Sequence, residues 1–492
     1  MRYRIFPSIG IARLGEDEDF FLGPERPGDS PGELQADGTV IPVTRFKDAT
    51  RTRIRKQGAR FHIFESQDGI NWSPANLPAT ATVTWTVTLE NKKAAITRSD
   101  APPTAPMRPQ VPAGNQSMVI KGGLKEITGP NATSAHFTGQ YATTAPSGAA
   151  FQVDVDLGVL RTDGQGRLIV LGGKGQSRAP AGVPIGPSFY RNPKWHDDVS
   201  DGPVTATIKL SPAEAPIQAE EGAWVIVAPP DYAPGIDCVV TLYDVIRQLG
   251  ISDSGLAAPG IPSFDLDINP LLTRVHRLRF VHEDATWSDA RFNNPNLGSR
   301  AATHQQLRTQ VRDLVLTTES VFEGHISNTG PPFLLRSFQK KFLDDWAAGN
   351  FDDTPASTAG NLTAAGLTRA SLESAAGQGF CPGIEAGIIV LDKTLYSTPF
   401  DFRFSHTSIK AGDITALMAQ PWQSDFLECN TEWWPTQRPD IAPQAGGGVE
   451  NWVRGAFGHE LLVERHPRLG FIVQQGAQEV FVEVERDPTL GA

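Results

Sequence analysis

Period-two alternation of apolar and polar residues sets the strongest limit on how the first half of this chain can fold. Residues 81–89, Ala-Thr-Val-Thr-Trp-Thr-Val-Thr-Leu, put apolar groups and hydroxyls on opposite faces, as a half-buried strand requires. Residues 151–157, 167–171, 204–210 and 223–228 carry strand patterns as well. The 47 Gly and 39 Pro supply many turns between them. Short strands punctuated in this way favour an antiparallel, β-rich unit.

After about residue 236 the period becomes helical. Helices are expected over 239–249 with Gly250 as the stop, over 302–316, and over 367–375. Another, over 334–346, gathers Leu335, Phe338, Phe342 and Leu343 on one face, with Gly349 near its end, and residues 353–360 read as a small-residue loop. The pattern returns to strands at 461–464, 470–473 and 479–484. The expected class is α+β: a β-rich domain over 1–235 and a mixed helical and β domain over 236–492, the two packing as one compact unit.

A net charge of -11 argues against nucleic acid, which demands a concentrated basic face. The basic run Arg51, Arg53, Arg55 and Lys56, flanked by Asp48, Glu65 and Asp68, reads as a solvated surface loop. No apolar run approaches the roughly eighteen residues that span a bilayer, and Pro7 and Arg13 interrupt any secretory core near the start. A cytoplasmic location is the expectation. Three cysteines cannot form a disulfide framework. Cys238, in an apolar stretch, reads as an inert core thiol, which leaves Cys381 and Cys429 as the chemical candidates.

Gly172-Gly173-Lys174-Gly175 lacks the rest of a phosphate-binding loop and reads as a hairpin turn. The histidines show no zinc-like spacing, and no metal site is expected. In Trp195-His196-Asp197-Asp198 neighbouring side chains of an extended segment point apart, so these groups are expected to close turns through backbone hydrogen bonds. Residues 421–435, Pro-Trp-Gln-Ser-Asp-Phe-Leu-Glu-Cys-Asn-Thr-Glu-Trp-Trp-Pro, collect more chemistry than a core needs: Asp425, Cys429 and three indoles, Trp422, Trp433 and Trp434. If the segment is helical, the spacing of four brings Asp425 and Cys429 to one face. A carboxylate among apolar rings tends toward a proton affinity suited to general-base work. The alternative is a tryptophan-rich turn that only fills a core.

The chain resembles the quinoprotein amino-acid oxidases typified by lysine ε-oxidase and glycine oxidase. The likeness runs through residues 6–15 and 21–25, Tyr190-Arg191-Asn192-Pro193-Lys194-Trp195-His196-Asp197-Asp198, residues 200–204, 228–234, 240–245 and 380–385, and is strongest over 412–415, 421–426, Cys429 and 433–440. The resemblance implies a cysteine tryptophylquinone formed from Cys429 and either Trp434 or Trp433, with no separately bound cofactor. Trp434 is slightly preferred, because Pro435 restricts its backbone. Asp425 matches the family's acidic residue near the cofactor, while Trp422 and Cys381 are candidates for the cofactor pocket.

The implied reaction is oxidation of a primary amine or amino acid by molecular oxygen, giving an aldehyde or oxo-acid, ammonia and hydrogen peroxide. A separately encoded flavoprotein is the implied transient maturation partner; a homo-oligomer stays open. Arg438 and Arg454 are candidates for a substrate carboxylate, with structural ion pairing as the alternative for each. The competing functional classes are a catalytically silent binding or structural relative, favoured by the short interval between Cys429 and Trp433, and an amine dehydrogenase with another electron acceptor. Joint retention of Asp425, Cys429 and both tryptophans argues against a silent relative.

Overall fold

A computed structural model of the 492-residue chain describes residues 1–96, 110–188, 191–258, 260–321, 335–356, 362–377, 386–387, 389–428, 436–476 and 479–490. Its largest element is a fourteen-stranded sheet. The main path runs through Val40–Pro42, Gly32–Leu34, Phe20–Leu22, Lys56–Ser66, Ile9–Arg13, Ala223–Ala228, Ser200–Lys209, Thr82–Asn91 and Ile120–Thr128. Most pairs are antiparallel; Ile9–Arg13 runs parallel to Ala223–Ala228, and Phe20–Leu22 parallel to Lys56–Ser66. The alternating stretch behaves as its pattern requires, with Trp85, Val87 and Leu89 buried and the intervening threonines half-buried. Gly10 has a steric role: a Cβ there would lie 2.5 Å from the Phe61 ring.

The helices follow the sheet in the chain: α1 Leu242–Asp253, α2 Asn269–Arg277, α3 Gln305–Val321, α4 Ser337–Ala348, α5 Ala364–Glu373, α6 Trp422–Glu428 and α7 His459–Arg465. α1 begins three residues later than its apolar run suggested, because Thr241 and Asp244 form a reciprocal capping box. It also passes through Gly250, which does not stop it. A Cβ at that position would meet the Phe400 ring at 2.6 Å, so the glycine admits a neighbour in mid-helix. α4 ends as expected, on Gly349 in the left-handed conformation (φ 86°).

Two further sequence readings are overturned here. Residues 461–464 belong to α7, with Glu460 in the first turn and Arg465 in the last, each matched to the helix dipole. An apolar triplet is too short for its period to separate helix from strand. The basic run is only half solvated: Arg51 and Arg53 are exposed, but Arg55 and Lys56 are buried. Arg55 pairs with Glu33 and Asp19, and Lys56 Nζ donates to the Gly172 carbonyl at 2.8 Å. The chain does end in paired strands, Phe471–Gln474 with Phe481–Val484.

One large buried apolar cluster joins sheet and helices. It includes Trp85 and Trp224 from the sheet, and Trp287, Trp346, Trp422 and Trp452 from the helical half, all fully buried. No helix among the described residues is long and apolar enough to cross a membrane.

Candidate active site

The tryptophan-rich segment begins as helix α6, so Asp425 does lie on a helix in the turn before Cys429. Asp425 and Trp422 are both fully buried. Cys429, Trp433, Trp434 and Cys381 lie outside the described residues. What the structure defines is the frame on either side of 429–435.

At the start of α6 the Trp422 backbone N–H donates to Asp197 Oδ2 at 2.9 Å. Just before it, Asn192 Nδ2 donates to the Gln420 carbonyl (2.7 Å), and Gln420 Nε2 to the Trp195 carbonyl (2.6 Å). Inside the first turn, Gln423 Oε1 accepts from Ser177 Oγ (2.6 Å), and its Nε2 donates to the Gly175 carbonyl (3.2 Å). Sequence islands far apart in the chain therefore converge on one helix end. The Trp422 ring packs edge-on to His466 (4.8 Å) and Phe426 (5.2 Å), and Tyr232 meets both Phe426 (6.0 Å) and Trp452 (4.8 Å).

Beyond 429–435 the chain is fixed again at once. Arg438 Nε donates to the Phe426 carbonyl at 2.6 Å, and its guanidinium pairs with Asp440. The Tyr232 N–H donates to the Gln437 carbonyl (3.2 Å). Cys238 Sγ lies 2.7 Å from Thr436 Oγ1 and 3.1 Å from Gln437 Oε1. Cys238 is buried as expected, yet it stands against the residue that follows Trp434-Pro435. Nothing in its local sequence signals that neighbour, which is 198 positions away.

The acids of the frame divide by environment. Asp197 and Asp198 do point apart: Asp197 takes the α6 amide, while Asp198 Oδ2 accepts the N–H groups of Lys174 (2.7 Å) and Gln176 (3.2 Å). Gly172-Gly173-Lys174-Gly175 is thus no hairpin turn. It leaves the strand Leu168–Gly172, is pinned by Asp198, and presents the Gly175 carbonyl to α6. Burial, with Asp197 beside it, pushes the Asp198 carboxyl up to about 8, and burial lowers His196 to about 4. Next to Cys238, burial raises Asp237 to about 7, and Asp231 to about 6. Among the described residues no group of three or more His, Cys, Asp or Glu could hold a metal.

Two family models match the chain. Residues 6–227 match the L-lysine epsilon oxidase N-terminal model, and residues 327–452 match the L-lysine epsilon oxidase C-terminal domain, which takes in α6 and the whole of 429–435. The chain belongs to the L-lysine epsilon-oxidase family. L-lysine 6-oxidase of Marinomonas mediterranea is 27% identical over 531 residues, covering 88% of this chain and 72% of that protein. The crystal structure of L-Lys epsilon-oxidase from the same organism superposes with a TM-score of 0.78 at 21% identity, over 99% of this chain and 95% of that one. A second determination of that enzyme gives 0.78 at 22% identity.

As a member of this family the protein is a cysteine tryptophylquinone quinoprotein. It oxidatively deaminates an amine or amino acid to an aldehyde or oxo-acid, with ammonia and hydrogen peroxide as the other products. The frame fits a cofactor built from side chains. A thiol residue directly follows a helix clamped at its start, a buried carboxyl lies on that helix, and Arg438 ties the chain beyond the tryptophans back to Phe426. The two arginines considered for a substrate carboxylate are engaged in structure: Arg438 as described, and Arg454 with Glu450 (2.8 Å) and Glu483 (2.7 Å).

Proposed function

We propose that Cys429 and Trp434 are the cross-linked pair, that Asp425 is the acid–base group of the site, and that the substrate is the primary amine of an amino acid. The observation that carries this reading is Asp425, fully buried on a helix whose two ends are separately fixed. A tryptophylquinone supplies an electron-accepting carbonyl that side chains alone do not offer. In this reading the Asp425 carboxylate takes the proton from the carbon bearing the amine and passes it to water when the product leaves. Its burial keeps bulk water away from the reacting carbon.

L-lysine, the substrate in the relative's name, is the first candidate. A separately encoded flavoprotein acts as transient maturation partner, because adding oxygens to tryptophan and joining it to sulfur requires an oxidant. A cytoplasmic location belongs to the same reading. Protein co-expressed with that flavoprotein and offered L-lysine, glycine and simple primary amines is expected to release peroxide and ammonia in equal amounts from at least one of them. Uniform silence from protein that carries the cross-link would contradict an oxidase.

A further inference from the structure

The ion pair between Lys93 and Asp197 has no role in the chemistry above, yet it meets α6 at its first residue. Lys93 is 1% exposed and Asp197 0%. Asp197 Oδ2 accepts from Lys93 Nζ (2.5 Å) and from the Trp422 backbone N–H (2.9 Å), while Oδ1 accepts from Asn91 Nδ2 (3.0 Å). Asn91 Oδ1 in turn accepts the Lys93 N–H at 2.9 Å.

Burying two charges at this depth is a poor source of stability. Desolvation offsets most of their attraction, and apolar side chains of like volume often do as well. What the pair adds is direction, since each carboxylate oxygen must meet donors at fixed angles. One set of donors comes from the end of the strand Thr82–Asn91 and the 3-10 helix Lys93–Ala95 that follows it, and the other is the first amide of α6, whose positive end favours the same carboxylate. Holding that amide fixes where the helix starts. Glu428 ends it six residues, or about 9 Å, later at 1.5 Å per residue, and Cys429 follows.

We infer that Asp197 is a positioning residue of the cofactor helix, setting with its carboxylate where α6 begins and through it the placement of Asp425 and Cys429. The inference rests on the quinone reading for its consequence. Thioether formation joins the sulfur to a ring carbon, with loss of one hydrogen from each and transfer of two electrons to an oxidant, the flavoprotein proposed above. A displacement of ~1 Å between groups that must react costs about a hundredfold in rate. Loss of positioning therefore shows first as missing cross-link.

Two charge-free double variants isolate the effect. Lys93→Met with Asp197→Asn keeps an amide oxygen that accepts the Trp422 N–H; Lys93→Met with Asp197→Leu does not. After co-expression with the flavoprotein, the asparagine variant is expected to carry cofactor within about twofold of the parent, and the leucine variant at least about tenfold less. Both should unfold cooperatively, the leucine variant at the lower temperature because the buried Trp422 N–H loses its acceptor, and exchange protection should be lost in the leucine variant over 422–428 alone. Should the leucine variant not fold, Asp197→Ser in the same background, too short to reach the amide, takes its place. Equal cofactor content together with equal protection in the two folded variants would overturn the inference. A parent without cofactor would refute the quinone reading instead, and the exchange comparison would still decide the role of Asp197.

Discussion

Arg438 Nε donates to the Phe426 carbonyl at 2.6 Å, so the chain that returns from the tryptophan pair is tied to the helix that leads into it. The arginine is buried and paired with Asp440, and its removal would take the guanidinium from that buried acid, leaving His282 Nε2 at 3.8 Å. Arg438→Met is therefore expected to cost about 3–5 kcal/mol in urea unfolding and to lower cofactor content. Exchanging Asp440→Leu as well should restore most of the stability but not the cofactor, since the bond to Phe426 stays broken.

Asp425→Asn keeps shape and burial and removes the base. Turnover per mole of formed cofactor is expected to fall by about 10²–10⁴, with little change in melting temperature. Steady-state peroxide release, normalised to cofactor content, measures it. Parent-like turnover would remove Asp425 from the chemistry.

Asp198 makes stability depend on pH in a direction opposite to that of a salt-bridged acid. Its folded value is raised from 3.8 to about 8, mainly by burial. Below about pH 4 it is protonated whether folded or not and contributes no slope. From there up to about 8 the unfolded chain gives up the proton that the folded chain keeps, so stability falls as pH rises, by at most about 1.4 kcal/mol per pH unit for this one group. Asp198→Asn should flatten the melting-temperature profile across that window. Parallel profiles for variant and parent would contradict the assignment.

Gly250 offers a test of sign. In an open helix interior, alanine is more favourable than glycine by about 1 kcal/mol. Here a Cβ would lie 2.6 Å from the Phe400 ring. Gly250→Ala is accordingly expected to destabilise by about 1–3 kcal/mol in chemical denaturation, and Phe400→Leu in the same chain should recover part of the loss.

The strands of the first half were legible because alternation is a local property: residues 81–89 state their own burial, and the structure returns Thr82–Asn91. α1 was legible as a helix, but its start was set by the Thr241–Asp244 box and its course past Gly250 by Phe400, a partner distant in sequence. Asp425 could be singled out because carboxyl, thiol and indoles crowd one segment. The residues that hold that segment could not. Asp197 meets Trp422 across 225 positions, Ser177 meets Gln423 across 246, and Cys238 meets Thr436 across 198, and no local pattern encodes such pairs. Lys56 misled for the same reason: a basic run looks solvated until the Gly172 carbonyl that receives it is in view.

A covalent bond between Cys429 and an indole of the tryptophan pair is open to peptide mass spectrometry of protein co-expressed with the maturation flavoprotein. The expected result is one peptide spanning 429–434, heavier than its sequence by about 28 Da from two added oxygens and four lost hydrogens, with fragmentation that fails between Cys429 and Trp434. A peptide at its unmodified mass, with a Cys429 thiol that still alkylates, would contradict it.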